Sequence, residues 1–179
     1  MKIIKGTISS ILFGLLLILS SCKNNNEPAT PINGEQFEKL RENKENDGKR
    51  FSITGYPYLD SDVTIHSDLG VLIDFYSQPK AQGEYMGSIK LGYKDDKNGM
   101  FIPNQFEADD LQISDNEGNQ LGINDKMTVS FTMELDTNRP PHQGNNKLVK
   151  DKNGIPEMVE LPATYYGDGP SNIKIEKAQ

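Results

Sequence analysis

The sequence predicts a mostly β-structured domain that carries one short helix near its N-terminus. From Arg50 onward, apolar residues recur at every second position, which is the period of half-buried strands. The 179 residues include 16 glycines and 10 prolines, so many of these short segments are expected to end in turns. Only one segment before Arg50 carries helix signals after the apolar N-terminus, so helices contribute little to the predicted core.

The helix is predicted over residues 33–47. Asn33 can cap it, because Gln36 follows three residues later in a capping-box arrangement. Phe37 and Leu40 are the only apolar side chains of the stretch. The helix is therefore expected to lie on the body of the domain rather than to build it.

Each alternating segment presents one set of side chains to the predicted core. In chain order these sets are Phe51 and Ile53; Val71, Ile73 and Phe75; Tyr85, Ile89, Leu91 and Tyr93; Leu111, Ile113, Leu121 and Ile123; Met127, Val129, Phe131, Met133 and Leu135; and Ile173 with Ile175. The fourth set flanks a turn and predicts a hairpin. The fifth alternates most regularly, so residues 127–135 are predicted as the central strand, with Thr128, Ser130, Thr132 and Glu134 facing outward.

A second hairpin is predicted late in the chain. Asp151-Lys152-Asn153-Gly154 is a turn sequence, and it separates Leu148-Val149 from the apolar residues of the stretch 158–161.

The order of these signals over residues 49–178 resembles the oligonucleotide/oligosaccharide-binding (OB) fold, a five-stranded, partly closed barrel. Residues 48–56 resemble its first strand, in which a mid-strand glycine, here Gly55, eases the bend that lets one strand serve both halves of the barrel. Residues 124–131 resemble a later turn and strand. The resemblance implies an antiparallel barrel of five to seven strands. An antiparallel β-sandwich uses the same short strands and stays open as the alternative.

The first 21 residues have the pattern of a secretory signal peptide. A basic start precedes an apolar run at residues 11–19, which is shorter than the roughly 20 residues of a membrane-spanning helix. Leu19-Ser20-Ser21-Cys22 resembles the lipobox of bacterial lipoproteins. This resemblance implies cleavage before Cys22, a thioether-linked diacylglyceryl group on its sulfur and a fatty acyl chain such as palmitate on its amino group.

Residues 22–33 are predicted to form the lipidated cysteine and a flexible tether, which leaves 34–179 as a single domain. The tether holds four asparagines and two prolines, a composition that cannot build a core. Lys23 stands where an aspartate favours retention at the inner membrane. The resemblance therefore implies the outer membrane of the cell envelope. Its periplasmic face and its outer face both stay as alternatives.

Composition and motifs exclude several classes of function. Lys plus Arg number 19 against 26 Asp plus Glu, and the net charge of -7 disfavours a nucleic-acid partner. The single cysteine excludes an internal disulfide. Nucleophile-elbow, zinc-protease and phosphate-loop motifs are missing, and the two histidines, His66 and His142, stand in polar stretches. We therefore expect no enzyme, no cofactor and no metal site.

The acidic loops leave calcium binding open. The candidate oxygen ligands are Asp60, Asp62 and Asp68; Asp95, Asp96 and Asn98; and Asp109 with Asp110. None of these groups has the EF-hand spacing with its closing glutamate.

Tyrosines are the candidate ligand-binding residues. Tyr76 has outward parity on its predicted strand, and Tyr56 and Tyr58 follow the bend of the first strand. Phenol rings at such positions can stack on sugars or on a partner protein. The hypothesis is a monomeric, membrane-anchored module that binds or scaffolds a protein or glycan. A structural accessory subunit of an envelope complex and a small hydrolase are the alternatives.

Overall fold

The computed structural model describes residues 27–59, 70–93, 96–101, 108–150 and 152–179. Several predictions fall outside the described residues, namely the signal peptide, Cys22, His66, Asp60, Asp62, Asp68 and Asp95. Within the described part of the chain, no helix is long and apolar enough to cross a membrane.

Eleven strands lie in the described residues. They are β1 (Thr30–Pro31), β2 (Arg50–Tyr58), β3 (Val71–Gln78), β4 (Gln82–Leu91), β5 (Gly99–Phe101), β6 (Gln112–Ser114), β7 (Gln120–Gly122), β8 (Met127–Glu134), β9 (Asn146–Lys150), β10 (Pro156–Glu160) and β11 (Gly169–Lys177). One α-helix, α1 (Gly34–Glu38), and three 3-10 turns, Lys39–Glu42, Lys44–Asn46 and Ala108–Asp110, accompany them.

The long strands form one sheet in the order β11-β8-β2-β3-β4. All of these pairs are antiparallel, whereas β1 adds to β2 in parallel. β1 therefore extends the sheet into the segment that the sequence assigns to the tether. The predicted class, mostly β with antiparallel sheets and one short N-terminal helix, is confirmed.

β2 changes its antiparallel partner at Gly55. Residues 50–55 pair with β8, and residues 56–58 pair with β3. A β-carbon on Gly55 would lie 2.7 Å from the carbonyl oxygen of Tyr76, so only glycine lets the β3 backbone come this close. The partner change falls at the glycine where the sequence predicts a bend.

A three-stranded sheet, β5-β6-β7, bridges the two ends of the long sheet. Its Met100 N–H donates to the carbonyl of Gly92, just after β4, at 3.1 Å. On the other side, the N–H of Asn116 donates to the carbonyl of Ile175 on β11 at 2.8 Å. The Asn98 side chain accepts the N–H of Ile175 at the same distance. Hydrogen bonds of Met100, Asn98 and Asn116 thus link β4 and β11 through the small sheet.

The core contains most of the side chains that alternation places there. The buried set includes Ile53, Val71, Ile73, Phe75, Ile89, Leu91, Leu111, Ile113, Leu121, Ile123, Met127, Val129, Phe131, Met133, Leu135 and Ile175. Tyr85 and Tyr93 are exceptions, because Tyr85 is half-buried on the outer face and Tyr93 is exposed. Their assignment to the core was wrong.

The helix begins as predicted and ends early. Asn33 caps α1 through a pair of hydrogen bonds. Its side-chain Oδ1 accepts the backbone N–H of Gln36 at 2.9 Å, and the side-chain Oε1 of Gln36 accepts the backbone N–H of Asn33 at 3.0 Å. The predicted extent to residue 47 was wrong, since 3-10 turns follow Glu38. Asn43 is extended there, at φ -123 and ψ 115, and its side chain caps the next turn.

Candidate functional site

The three predicted tyrosines meet on the outer face of β2 and β3. Tyr56 and Tyr76 are cross-strand partners. The ring of Tyr58 stands edge-to-face against that of Tyr76, with centroids 6.0 Å apart and planes at 87°. All three side chains are half-buried, so each keeps part of its surface open to solvent.

Tyr85 adds a fourth ring from β4. Its centroid lies 5.8 Å from that of Tyr76, with an interplanar angle of 69°. We call Tyr56, Tyr58, Tyr76 and Tyr85 the tyrosine row. It crosses three neighbouring strands on one face of the sheet.

A β-bulge explains why alternation misplaced Tyr85. Phe75 pairs with Gly87, but the next residue, Tyr76, pairs with Tyr85, so Met86 is the extra residue of β4. One extra residue reverses the side-chain parity of a strand. The signal in the sequence was Gly87, since a glycine inside a strand pattern often marks a bulge.

Polar groups accompany the row. Ser88 donates to the carboxylate of Asp74, its cross-strand partner, so the Tyr85 hydroxyl donates to Ser88 Oγ at 2.5 Å. Burial raises the pKa of Tyr85, an effect that the Ser88 hydrogen bond only partly offsets and the nearby Asp74 charge reinforces. The phenol is therefore neutral at physiological pH. Aromatic rings, hydroxyls and one carboxylate share this surface.

The outer face of β2 and β8 holds a buried arginine that alternation did not predict. Arg50 is 9% exposed, and its guanidinium donates from Nη2 to Ser130 Oγ at 3.0 Å. Ser130 and Thr132 were predicted to face outward. They do lie on that face, but they are buried because the guanidinium lies against both hydroxyls.

The β9–β10 hairpin is the most apolar exposed surface of the described residues. Leu148 and Met158 are cross-strand partners and are 62% and 59% exposed. Ile155 is 60% exposed, and Val159 and Leu161 each reach 40%. Leu148 and Met158 form an exposed apolar pair on one face of the hairpin, and exposed apolar clusters can mark interaction surfaces.

An acidic cleft of about 550 Å³ lies at the end of β8. Its lining residues are Asp47, Glu134, Leu135, Asp136, Arg139, Tyr166, Gly167 and Asp168. Asp136 pairs with Arg139 at 3.0 Å, and Asp47 accepts the N–H of Leu135 at 2.9 Å. Both carboxylates are therefore engaged within the protein, that of Asp136 with the Arg139 side chain and that of Asp47 with a backbone N–H. In the parts of the chain that the structure describes, no three His, Cys, Asp or Glu residues are grouped to hold a metal ion.

His142, the one histidine within the described residues, lies beside a tyrosine. Its Nδ1 is 3.2 Å from the hydroxyl of Tyr166, and both side chains are exposed. A histidine that acts as a general base needs a nucleophile or substrate within hydrogen-bond reach. The phenol is the group that His142 contacts here.

No protein-family model, no curated protein and no solved structure matches the chain. The choice among surfaces therefore depends on their chemistry. The tyrosine row combines ring faces with hydrogen-bonding groups, the hairpin exposes apolar side chains, and the Arg50 face is polar with one buried cation.

Proposed function

We propose that this protein is a lipid-anchored lipoprotein of the bacterial cell envelope whose β domain binds a glycan through the tyrosine row. The lipobox that ends at Cys22 supports the anchor, and Lys23 supports the outer membrane as its location. The observation that carries the glycan proposal is the continuous row of rings across β2, β3 and β4. No catalytic role is part of this proposal.

The chemistry of the row suits sugars. The C–H faces of a sugar ring stack on aromatic rings, and its hydroxyls need donors and acceptors at the rim. Asp74 supplies carboxylate oxygens and Ser88 a hydroxyl within the same face. Tyr56 contributes a ring and a hydroxyl with no partner among the described residues.

The strand order supports this choice of face. β2 pairs with β3 on one side and with β8 on the other, and β3 continues to β4. In the OB fold that the sequence resembles, the second and third strands present the ligand-binding face. β3 and β4 hold the corresponding positions, and Tyr76 and Tyr85 stand on them.

Tyrosine fluorescence provides a direct test, because the chain has seven tyrosines and no tryptophan. The probes are soluble chitohexaose, cellohexaose and peptidoglycan fragments, followed by pull-down on intact peptidoglycan. We expect one probe to quench the emission, and Tyr56→Ala or Tyr58→Ala to weaken its binding about tenfold, or about 1.4 kcal/mol. Tyr166→Ala is the matched control, an exposed tyrosine away from the row. The proposal fails if no probe quenches the tyrosine emission, or if all three variants bind the probe with equal affinity.

A structural accessory subunit is the second candidate, and the exposed β9–β10 hairpin favours it. A permanent protein partner would cover Leu148 and Met158, which the fold leaves in water. A photo-crosslinking residue at Leu148 tests this in the native envelope. The control position is Leu72, which is 57% exposed on β3. A protein crosslinked only from Leu148 supports the accessory role, and crosslinking from Leu72 places a protein on the tyrosine face.

A further inference from the structure

Arg50 is a buried cation whose partners are all neutral. Besides the 3.0 Å bond to Ser130, its Nη1 lies 3.4 Å from Thr132 Oγ1 and 3.5 Å from the carbonyl oxygen of Asn172. These two are long for N–H···O bonds. Nε is buried and has no hydrogen-bond partner among the described residues. Of five N–H donors, one is firmly satisfied.

This arrangement is unfavourable unless an anion completes it. Taking a charge out of water costs several kcal/mol, which a paired counter-charge or good hydrogen bonds must offset. None of the described carboxylates pairs with Arg50. A buried guanidinium whose Nη1 makes only long contacts therefore points to a ligand that carries negative charge and several acceptor oxygens.

Arg50 lines a pocket of about 390 Å³. Arg50, Ser52, Thr128 and Ser130 line its β2 and β8 side, and residues 27–29 line its N-terminal side. Three hydroxyls thus share this side of the pocket with the cation: that of Ser130 accepts from Arg50, and that of Thr128 also bonds to Thr54 Oγ1 at 3.0 Å. A hydroxyl can donate to an oxygen or accept from one. The volume lies within the range of small-molecule sites, which is about 300–1,000 Å³.

Three charged side chains also line the pocket, and all three are exposed to solvent. Lys174 and Glu176 pair with each other at 2.8 Å, and about half of each side chain is exposed. Glu27 is exposed as well. Solvent and salt screen exposed charges far more than buried ones. Arg50 is therefore the least screened charge among the residues that line the pocket.

We propose that this pocket binds a phosphate group, with Arg50 as the charged ligand and Ser52, Thr128 and Ser130 as hydroxyl donors. Phosphate presents several acceptor oxygens at tetrahedral angles, and these match the Nη groups of the guanidinium plus hydroxyls from two strands. A carboxylate has only two oxygens and leaves part of this donor set unused. The site lies on the β2-β8-β11 face and does not depend on glycan binding.

Two sources of the phosphate fit the position of the site. Residues 27–29 line the pocket, and Cys22 lies five residues before Glu27. Five extended residues span at most about 18 Å, so an acylated Cys22 would keep the pocket close to the headgroups. A phospholipid headgroup is one source, and free phosphate or a soluble phosphomonoester is the other. Only the first depends on the proposed anchor.

Arginine-selective NMR tests the site, because the chain has three arginines, Arg41, Arg50 and Arg139. The full chain is isolated in dodecyl maltoside, which contains no phosphate, and titrated with inorganic phosphate at constant ionic strength. We expect the Nε–H signal of Arg50 to shift in a saturable manner. Arg41, which donates to the Gly167 carbonyl, and Arg139, which pairs with Asp136, are internal controls. No shift at Arg50, or equal shifts at all three, overturns the proposal.

Variants separate binding from folding. Arg50→Met should abolish saturable binding, and Ser52→Ala, which removes no hydrogen bond of the guanidinium, should weaken it about fivefold. Glu27→Gln removes an exposed carboxylate from the pocket lining and should tighten binding about twofold. If Arg50→Met does not fold, the other two variants decide. Unchanged affinity in both overturns the proposal.

Short-chain phosphatidylglycerol, added below its micellar concentration, distinguishes the two sources. A lipid that shifts Arg50 at concentrations at least tenfold lower than inorganic phosphate assigns the site to a headgroup. Equal or weaker lipid binding assigns it to free phosphate or a soluble phosphomonoester. If chitohexaose or another glycan probe shifts Arg50 and phosphate does not, the phosphate proposal fails while glycan binding stands.

Discussion

The ring of Phe37 lies directly over Gly87. A β-carbon on Gly87 would stand 2.7 Å from two atoms of that ring, and the glycine itself has a φ of +142°. The same ring stands edge-to-face against Phe131 in the core, with centroids 5.8 Å apart. Helix α1 is therefore seated on the bulged part of β4, and its one large apolar side chain continues the core across the missing side chain of Gly87.

Gly87→Ala should destabilise the domain by about 2–5 kcal/mol, since it combines backbone strain with overpacking against Phe37. Gly118→Ala is the matched control. It also has a positive φ, +95°, but its β-carbon would meet nothing within 4 Å, so strain alone, about 1–2 kcal/mol, is expected. Urea denaturation monitored by circular dichroism gives both values. Equal losses in the two variants would contradict the seating of α1 on Gly87.

Phe131→Ala should cost about 3–5 kcal/mol of unfolding free energy, because the residue is fully buried at the centre of β8. Its ring contacts those of Phe37 and Phe51, at 5.8 and 6.2 Å between centroids. Phe101→Ala applies the same substitution at an exposed position and should cost under about 1 kcal/mol. Coincident denaturation midpoints would refute the central place of β8 in the core.

Alternation predicted most inward-facing side chains of the long strands, because burial of one face imposes period two on the sequence. It failed where the chain departs from that period. The bulge at Met86 moved Tyr85 outward, and no alternation pattern reports a bulge directly. It also could not reveal that Arg50 buries the outer face of β8, since an arginine at a strand start usually reaches solvent. The two-residue strand β1 and the three-residue strand β5 are too short to show a period.

Asp115 should make part of the stability depend on acid pH. Burial raises the pKa of its carboxyl, but hydrogen bonds from the Asn119 side chain and from the Asn119 and Glu117 backbone outweigh burial and hold the pKa below 3.8. Because the folded pKa is depressed, this stabilisation is present above about pH 4 and is lost as the pH falls through the folded pKa.

Asp115→Asn keeps an acceptor oxygen for the backbone but removes the titrating charge. The variant should be less stable than the parent by about 1–3 kcal/mol at pH 7, and the gap should narrow below pH 4. Denaturant midpoints measured between pH 2 and pH 7 test this. A constant gap across that range would show that the Asp115 carboxylate contributes nothing through its charge.

Cys22→Ala should abolish fatty acylation of the protein. Cys22 is the only thiol in the chain, and no other side chain near the lipobox can form the thioether. Metabolic labelling with an alkyne fatty acid measures this, and Ser21→Ala, which keeps a small residue beside the cysteine, is the control that should still label.

Each buried methylene adds about 0.8 kcal/mol, so two or three acyl chains anchor a protein durably. The variant should therefore either remain as an uncut precursor, held by residues 11–19, or appear in the soluble fraction after cleavage by a general signal peptidase. Label on the Cys22→Ala chain at the parent level, or a parent chain that never labels, would show that the protein is not a lipoprotein.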